Sequence, residues 1–452
     1  MPTHPEESLG ANPAEAALNP ADSVAMGVPS SRAPRFLDSD RGRGFRALRH
    51  REFALLFVAF VIGQTGFWVS HISLQWVMVQ LTDADPFQQG LLFFALFIPA
   101  LVVAPLAGVV ADRLDRRHIV IVAYCTIACW AGALATFTAA DVMTPLLALG
   151  LALGLGTSFA FLSPAMLAGV ANAVPEEDLS SAISLQSAAN NITRIVGPAL
   201  AAPILAFAGA EVSFLVYVGA AAVVVVLLAR IRFTPYVPDD DRSGIVRRIA
   251  DGLAHARERR PALPALGLVA VMSVFGVSHV ALIPLYARAV LGGDEGTFAL
   301  IAVVTGFGAL IGALVTGYRR SVPTLRTGAL SLLAFGAVLG AFAAVDDLGL
   351  ALVLQFAVGF FYFATMTSLQ TLIQHLVDES RRGRAMSLFQ VAWAGLVPIG
   401  GLLLGSVAGF AGVRWTIGAG AVVCAAYGAV VALRYPSIRS TSPHSEASAA
   451  SS

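Results

Sequence analysis

Two histidines occupy matching positions in two similar stretches of the chain. His71 lies in FWVSHISL (67–74) and His279 in FGVSHVAL (275–282). Histidine changes its charge near neutral pH, so a facing pair could carry or sense a proton. Two neutral, hydrogen-bonded imidazoles bordering a cavity would give the same pattern. Proton coupling through His71 and His279 is therefore one hypothesis, and a purely structural role is the other.

A single arginine, Arg194, interrupts an otherwise apolar segment. Ser187, Asn191, Arg194 and Pro198 recur at helical spacing and predict a polar stripe on one helix face. A charge inside a helix that crosses a membrane is costly, and it normally faces a bundle interior or a watery cavity. The stripe predicts a cavity lining in which Arg194 recognises an anion or takes part in gating, with structural pairing as the alternative.

Further polar and aromatic side chains fall on single faces of predicted helices and are candidates for the same cavity. Apolar walls with few fixed polar groups suit amphiphilic or aromatic small molecules, although these residues could equally be packing. The candidate cavity residues are Gln64, Trp68, His71, Gln75, Asn191, Arg194, His279, Tyr286, Tyr362, Gln390 and Trp393.

The composition argues against several kinds of catalysis. The chain has no lysine, which excludes a phosphate-binding Gly-Lys-Ser/Thr loop and a lysine Schiff base. The three cysteines have no partners at metal-ligand spacing. A haem held by His71 and His279 is formally possible, but we expect no cofactor, no metal and no catalytic residues. We also expect no nucleic-acid partner, and the sequence does not indicate an enzyme.

These candidate residues are set in a strongly apolar chain, with 57% hydrophobic and 13% charged residues. Twelve apolar segments between residues 53 and 433 are each long enough to cross a hydrocarbon core of about 30 Å as a helix. They do not alternate with period two, which excludes a membrane β-barrel. The predicted fold class is an all-α polytopic membrane protein with twelve transmembrane helices.

The distribution of charge predicts how the helices are oriented. Of the 29 basic residues, all but Arg194, Arg288 and Arg414 fall in the tails and in alternate loops. The remaining loops instead collect acids: Asp83, Asp85, Asp141, Glu211, Asp294, Glu295, Asp346 and Asp347. The positive-inside rule then places both termini in the cytoplasm.

The chain also contains an internal repeat. At an offset of about 203 to 208 residues the first half matches the second, which predicts two pseudo-symmetric six-helix bundles of like orientation. A substrate site is then expected between the bundles, near the middle of the membrane. The expected organisation is a disordered tail (1–44), a bundle (45–231), a cytoplasmic linker with an amphipathic helix (232–262), a second bundle (263–435) and a disordered tail (436–452).

The turn GVVADRLDRRHIV (108–120) resembles the motif between helices 2 and 3 of the major facilitator superfamily. Five positions are in register with it: Gly108, Asp112, Arg113, Arg116 and Arg117. Asp115 stands where that motif usually has glycine. The resemblance implies that this turn acts as a conformational latch between the two halves, with its partner at the start of helix 11. For the arginines, simple anchoring of topology is an equal alternative.

The segments FLSPAMLAGVANAVPEEDLSSAISLQ and NNITRIVGPALAAP resemble helices 4 and 5 of the exporter branch of that superfamily, which includes the enterobactin exporter and bacterial drug-efflux proteins. Gly197 and Pro198 match its helix 5 motif, while Ala201 and Ala202 replace later glycines. The resemblance implies a secondary active transporter that works by alternating access. It predicts efflux of small hydrophobic or amphiphilic compounds, drug-like or siderophore-like, coupled to protons. The alternatives are an importer of the same fold and a non-transporting receptor or scaffold, and we expect a monomer in contact with membrane lipids.

Overall fold

The computed structural model describes residues 43–103, 107, 115–231, 262–318, 323–376 and 382–435. A 3₁₀ turn, Arg43–Arg49, precedes twelve helices in this part of the chain. The first six are α1 (Arg51–Leu81), α2 (Pro86–Val102), α3 (Arg116–Ala139), α4 (Pro145–Ala173), α5 (Glu176–Ala208) and α6 (Ala210–Ala229). The second six are α7 (Ala262–Ala289), α8 (Glu295–Gly317), α9 (Leu325–Ala344), α10 (Leu348–Leu376), α11 (Arg382–Gln390, Val391–Gly395 and Leu396–Ala411) and α12 (Val413–Arg434).

The fold is the predicted all-α membrane bundle. Eleven of these helices are long and apolar enough to cross a membrane, and α2 is a shorter apolar helix in its described part. Because each helix runs the length of the bundle, the turns alternate between its two ends. We call the end that carries the α1–α2, α3–α4, α5–α6, α7–α8 and α9–α10 turns the acidic end, and the opposite end the arginine end.

Several helices at the acidic end begin at a side chain that caps the free backbone N–H groups of the first turn. The Asp85 carboxylate accepts hydrogen bonds from the N–H groups of Phe87 and Gln88, and Pro86 follows at the first helical position. Thr144 caps α4 in the same way, and Asp294 caps α8. Side-chain caps of this type fix where a helix starts, so they explain why the turns between the apolar segments can be short.

Two hydrophobic cores correspond to the two halves. One core contains residues of α1 to α6 and of the segments flanking them, from Ala47 to Ile231. The other is built mainly from α7 to α12, but it also includes Val69, Ile72, Trp76 and Val79 of α1 and Ala201 and Leu205 of α5. These six residues lie in the halves of α1 and α5 nearer the acidic end. The two bundles are therefore joined most closely at that end.

Glycines allow the backbones of α2 and α11 to touch across this junction. A Cβ atom added at Gly90 would lie 2.6 Å from the Gly401 carbonyl oxygen, and one at Gly405 would lie 2.6 Å from the Pro86 carbonyl oxygen. No side chain fits into either space without a backbone shift. Small residues of this kind let membrane helices approach closely.

Two helices of the second half depart from regular α-helical geometry. Within α7, a π turn at Met272–Gly276 is followed by a 3₁₀ segment at Val277–Leu282. Within α11, a π turn spans Val391–Gly395. The matching stretch of α1 is ordinary α-helix, so the two copies of the VSH sequence have different local structures. The α7 segment packs on α11, where the Ser278 hydroxyl donates to the Val397 carbonyl at 2.9 Å.

Some sequence predictions concern residues outside the described part of the chain. Both tails lie there, in 1–42 and 436–452, as does the linker with its amphipathic helix at 232–261. The limits of the domains, and the disorder and amphipathic helix assigned to these segments, stay predictions.

Candidate functional site

Arg194 lies between aromatic rings of the two halves. Its guanidinium carbon is 5.4 Å from the ring centre of Trp68 on α1 and 5.2 Å from that of Phe363 on α10. Each of the three residues is near the midpoint of its own helix, so the arrangement sits near the middle of the bundle. Cations attract the faces of aromatic rings, by about 0.5–2 kcal/mol for each pair. The polar stripe of α5 thus brings Arg194 to the junction of the two halves.

No carboxylate among the described residues forms an ion pair with Arg194. In the described helices, Asp and Glu occur only within the first three residues of a helix, far from the midpoint of α5. The Arg194 side chain is half-buried, and its Nε atom is buried without a hydrogen-bond partner. In the described part of the chain, the contacts of the cation are with the two aromatic faces, and its Nε–H donor has no partner.

Other polar groups on α5 and α1 lie next to this charge. The Asn191 amide donates to the Ser187 carbonyl at 3.0 Å, while its Oδ1 atom is buried without a partner. The Gln64 amide donates to Asn190 Oδ1 at 3.1 Å and ties α1 to α5. Arg194 therefore supplies a free donor, and Asn191, one turn earlier on the same face, supplies a free acceptor.

A wall of the second half is formed by α10 and α11. The Trp393 indole N–H donates to the Tyr362 hydroxyl at 2.8 Å, and both side chains are half-buried. Gln390, one turn before Trp393, is exposed. The sequence placed all three on one wall, and the structure brings Tyr362 and Trp393 into direct contact.

His71 is enclosed within the first half. Only 4% of the residue is exposed, its ring stacks on Phe67 at 5.6 Å, and Phe97 packs edge-on at 5.5 Å. Its Nε2 atom lies 2.9 Å from the Gln75 amide nitrogen, while Nδ1 is buried without a partner. The imidazole has one polar contact and one open ring nitrogen.

His279 is enclosed within the second half. Its Nδ1 atom lies 2.6 Å from the Gly276 carbonyl oxygen, and Gln355 of α10 is a neighbour of the ring. The Nε2 atoms of both His279 and Gln355 are nevertheless buried without a hydrogen bond of normal geometry. His71 and His279 are equivalent in the repeat, and the ring and hydrogen-bond contacts given above for each are with residues of its own half.

Tyr286 lies apart from the other cavity candidates. It is fully buried in the second core, where its ring packs on Phe342 with 4.4 Å between ring centres. Its hydroxyl donates to the Phe342 carbonyl at 2.7 Å and also contacts the Val345 carbonyl. Tyr286 thereby joins α7 to the end of α9 at the acidic end, away from Arg194.

The helix 5 motif positions Trp68. A Cβ atom added at Gly197 would lie 2.2 Å from the Cβ atom of Trp68, so the absence of a side chain there lets α1 and α5 meet beside Arg194. Pro198 follows within the same helix and is buried. Gly197 therefore lets the aromatic residue on which the guanidinium rests lie directly against α5.

Most of the predicted latch lies outside the described residues, namely Gly108, Asp112 and Arg113. The side chain of Arg116 is likewise not described, although its backbone begins α3. Arg117 is described, and its backbone N–H donates to the Asp115 carboxylate at 2.9 Å. Asp115, the residue that departs from the family motif, is the N-cap of α3. The latch itself stays a prediction.

Sequence reasoning missed two functional contacts. Phe363 gives no signal in its aromatic and apolar run, so its place over Arg194 could not be read from residue type. The second is at the arginine end, where buried Asp178 of α5 pairs with Arg46 at 3.3 Å and with His50 at 2.9 Å. Asp178 lies just before the apolar segment predicted at 180–208 and is the third residue of α5 in the structure; a carboxylate at such a place could have been recognised as a candidate for such a pair.

Comparison with known proteins decides the family. The sequence model of the transmembrane secretion effector family, within the major facilitator superfamily, matches residues 43–450. The chain belongs to this family. It is therefore a multi-pass membrane protein of the major facilitator type, a family of transporters and not of enzymes, as the sequence predicted.

Two curated relatives illustrate the similarity. The chain is 31% identical over 208 residues to macrolide efflux protein A of Enterococcus faecalis, covering 44% of this chain and 62% of that protein. It is 24% identical over 345 residues to the staphyloferrin A transporter of Staphylococcus aureus, covering 75% and 85%. The chain spans about half the length of several other curated relatives.

Solved structures share the fold. A bacterial homologue of the human lysosomal transporter Spinster, in an inward-facing and unoccupied conformation, superposes with a TM-score of 0.65 at 14% identity. The match covers 86% of this chain and 98% of the other. At this identity the likeness confirms the architecture of the helices.

Proposed function

We propose that this transporter is a proton-driven exporter of small hydrophobic or amphiphilic compounds that works by alternating access. It would act in the bacterial inner membrane, with both termini in the cytoplasm and the acidic end outside. The efflux-type relatives support the direction of transport. The asymmetry of the arginines supports the orientation.

The observation that carries this proposal is the uneven junction between the two halves. The second core takes residues of α1 and α5 only from their acidic-end parts, and Gly90 and Gly405 bring α2 and α11 into backbone contact near the same end. With the acidic end outside, this is the arrangement expected of a carrier closed to the exterior. Alternating access would require these contacts to part and others to form at the arginine end.

Proton coupling rests on the two histidines. Since the described helices have no Asp or Glu near their midpoints, the common carboxylate carriers are missing there. His71 and His279 each have one ring nitrogen that is buried without a partner, so each has room for a proton. Histidine is the side chain whose charge changes most readily near neutral pH.

Two alternatives are tested by the same experiment. An importer of this fold would have the same contacts between the two halves and the same interior residues as an exporter. A receptor or scaffold would also have these features but would not transport a substrate. The direction and the energy dependence of flux separate the three.

The test uses inside-out membrane vesicles from a host that lacks its own drug exporters. An exporter concentrates rhodamine 6G inside these vesicles when a pH gradient is imposed, and an uncoupler abolishes the accumulation. The control is Gly405→Val, which places a side chain into the α2–α11 backbone contact. Accumulation equal to that of the control would show that the chain is not an exporter of this dye, and uptake only in right-side-out vesicles would identify an importer.

A further inference from the structure

The surroundings of Arg194 indicate the charge of the transported molecule. This inference rests on the proposed function. Arg194 has no ion pair with any residue that the structure describes, and the described helices offer no acid at its depth. A lone guanidinium near the middle of a membrane bundle is costly. Its Nε–H group is buried without a partner, so part of its hydrogen-bonding capacity is left open.

The residues around Arg194 indicate which chemical group would accept its open N–H donors. Trp68 and Phe363 cover it from opposite halves, but aromatic faces cannot accept the in-plane N–H groups of a guanidinium as a carboxylate can. A carboxylate matches the planar fork of donors in arginine and can accept two parallel hydrogen bonds. The same two rings can stack on a flat apolar part of a bound molecule.

We propose that Arg194, Trp68 and Phe363 form a binding site for organic carboxylates that carry an aromatic or flat apolar portion. The carboxylate binds the Arg194 guanidinium, and the flat portion lies against Trp68 or Phe363. The free Asn191 Oδ1 atom accepts a hydrogen bond from a hydroxyl or amide of the same molecule. Because the two rings belong to different halves, the bound molecule touches both.

The site predicts selectivity by charge between molecules of similar shape. Carboxyfluorescein and rhodamine 6G share a flat three-ring skeleton, but the first is an anion and the second a cation at neutral pH. Binding of each dye to the purified full-length protein in detergent is measured by fluorescence anisotropy. We expect wild type to bind carboxyfluorescein more tightly than rhodamine 6G.

Substitutions at position 194 test the role of the guanidinium. Arg194→Gln is expected to weaken binding of carboxyfluorescein about tenfold or more, the effect of one charge-assisted hydrogen bond, with little loss of rhodamine 6G binding. Arg194→Lys keeps the charge without the fork and should fall between wild type and Arg194→Gln. Arg194→Glu should reverse the preference of the two dyes. The matched control is Arg326→Gln, which removes an exposed arginine at the start of α9.

The reversal guards against a trivial loss of fold, because an unfolded variant cannot gain affinity for the cation. Equal binding of carboxyfluorescein by wild type and Arg194→Gln would overturn the proposal, as would no binding by wild type. Uphill transport of rhodamine 6G, together with carboxyfluorescein binding that does not depend on Arg194, would keep the exporter and reject the anion site. Binding of carboxyfluorescein that depends on Arg194, without transport of either dye, would keep the site and reject the exporter.

Discussion

His50 and Asp178 join the segment before α1 to the first turn of α5. The His50 Nε2 atom lies 2.9 Å from Asp178 Oδ2, and the Arg46 Nε atom lies 3.3 Å from Asp178 Oδ1. Asp178 is buried, whereas His50 and Arg46 are about one third exposed. The aspartate also lies in the first turn of its helix, where a negative charge is favourable. One carboxylate therefore fixes the entry to the first helix against the helix that carries Arg194.

Asp178→Asn is expected to lower stability by about 1–2 kcal/mol. The change keeps the shape of the side chain but removes the buried charge that hydrogen-bonds to His50 and forms an ion pair with Arg46, and exposure of the two partners keeps the loss moderate. Thermal unfolding of the detergent-purified protein measures it. Glu177→Gln is the matched control, because that neighbouring acid is exposed. Equal melting temperatures of the two variants would contradict a structural role for the pair.

Gly405→Ala is expected to reduce uphill transport at least tenfold. The new Cβ atom would meet the Pro86 carbonyl oxygen at 2.6 Å and the Gly90 Cα atom at 2.9 Å, so α2 and α11 could no longer close. Gly409→Ala, also on α11, meets nothing within 4 Å and should transport like wild type. A thiol introduced as Val79→Cys should become more reactive with an impermeant reagent in the Gly405 variant, and unchanged reactivity would speak against this closure.

Asp115→Ala should cost about 1 kcal/mol, and Asp115→Gly only a few tenths. The carboxylate of Asp115 accepts from the Arg117 N–H at 2.9 Å at the start of α3, and glycine is a better N-cap than alanine. Thermal unfolding of the two variants side by side tests this order. A glycine variant less stable than the alanine variant would show that the cap is not the source of the effect.

His71→Gln and His279→Gln are expected to separate exchange from concentration of substrate, if these histidines carry the coupling proton. Glutamine keeps hydrogen-bonding capacity but does not titrate. Downhill exchange in liposomes should survive, accumulation driven by a pH gradient should fail, and its dependence on pH between about 5 and 8 should flatten. A double variant that still concentrates substrate with a normal pH profile would exclude both histidines as proton carriers.

Asp112→Asn should impair transport without impairing membrane insertion, because it removes the charge proposed for the latch at nearly constant volume. Transport of rhodamine 6G at equal expression is the measurement. Asp115→Asn, on the same turn, is the comparison. Normal transport by the Asp112 variant would reject the latch.

The sequence was sufficient for the helices but insufficient for their contacts. Twelve apolar runs fix the elements, because in a membrane only helices and closed barrels satisfy every backbone group. The repeat fixes which residues are equivalent. Neither the apolar runs nor the repeat could place Phe363 over Arg194. The local sequence around an aromatic residue in an apolar run is the same whether the residue faces lipid, the core or a cavity.

Local geometry was also set by tertiary contacts. The VSH sequence is α-helical in α1 and 3₁₀-helical in α7, so the residues themselves do not decide between the two. In α7 the neighbouring helix approaches through Gly400, where a Cβ atom would lie 2.2 Å from the Ser278 hydroxyl oxygen. Packing against α11 distinguishes this copy from the other.

This difference between the two copies affects how stiff they are. Hydrogen bonds in 3₁₀ segments have poorer geometry than those of an α-helix, and π turns inserted in helices are local irregularities at which they bend. The break at Met272–Leu282 therefore gives α7 a compliant joint near its centre, while α1 is an uninterrupted rod of 31 residues. The bending that accompanies opening and closing would then occur mainly in α7 of the second half. The matching helix α1 of the first half would keep its shape, although the two share a sequence pattern.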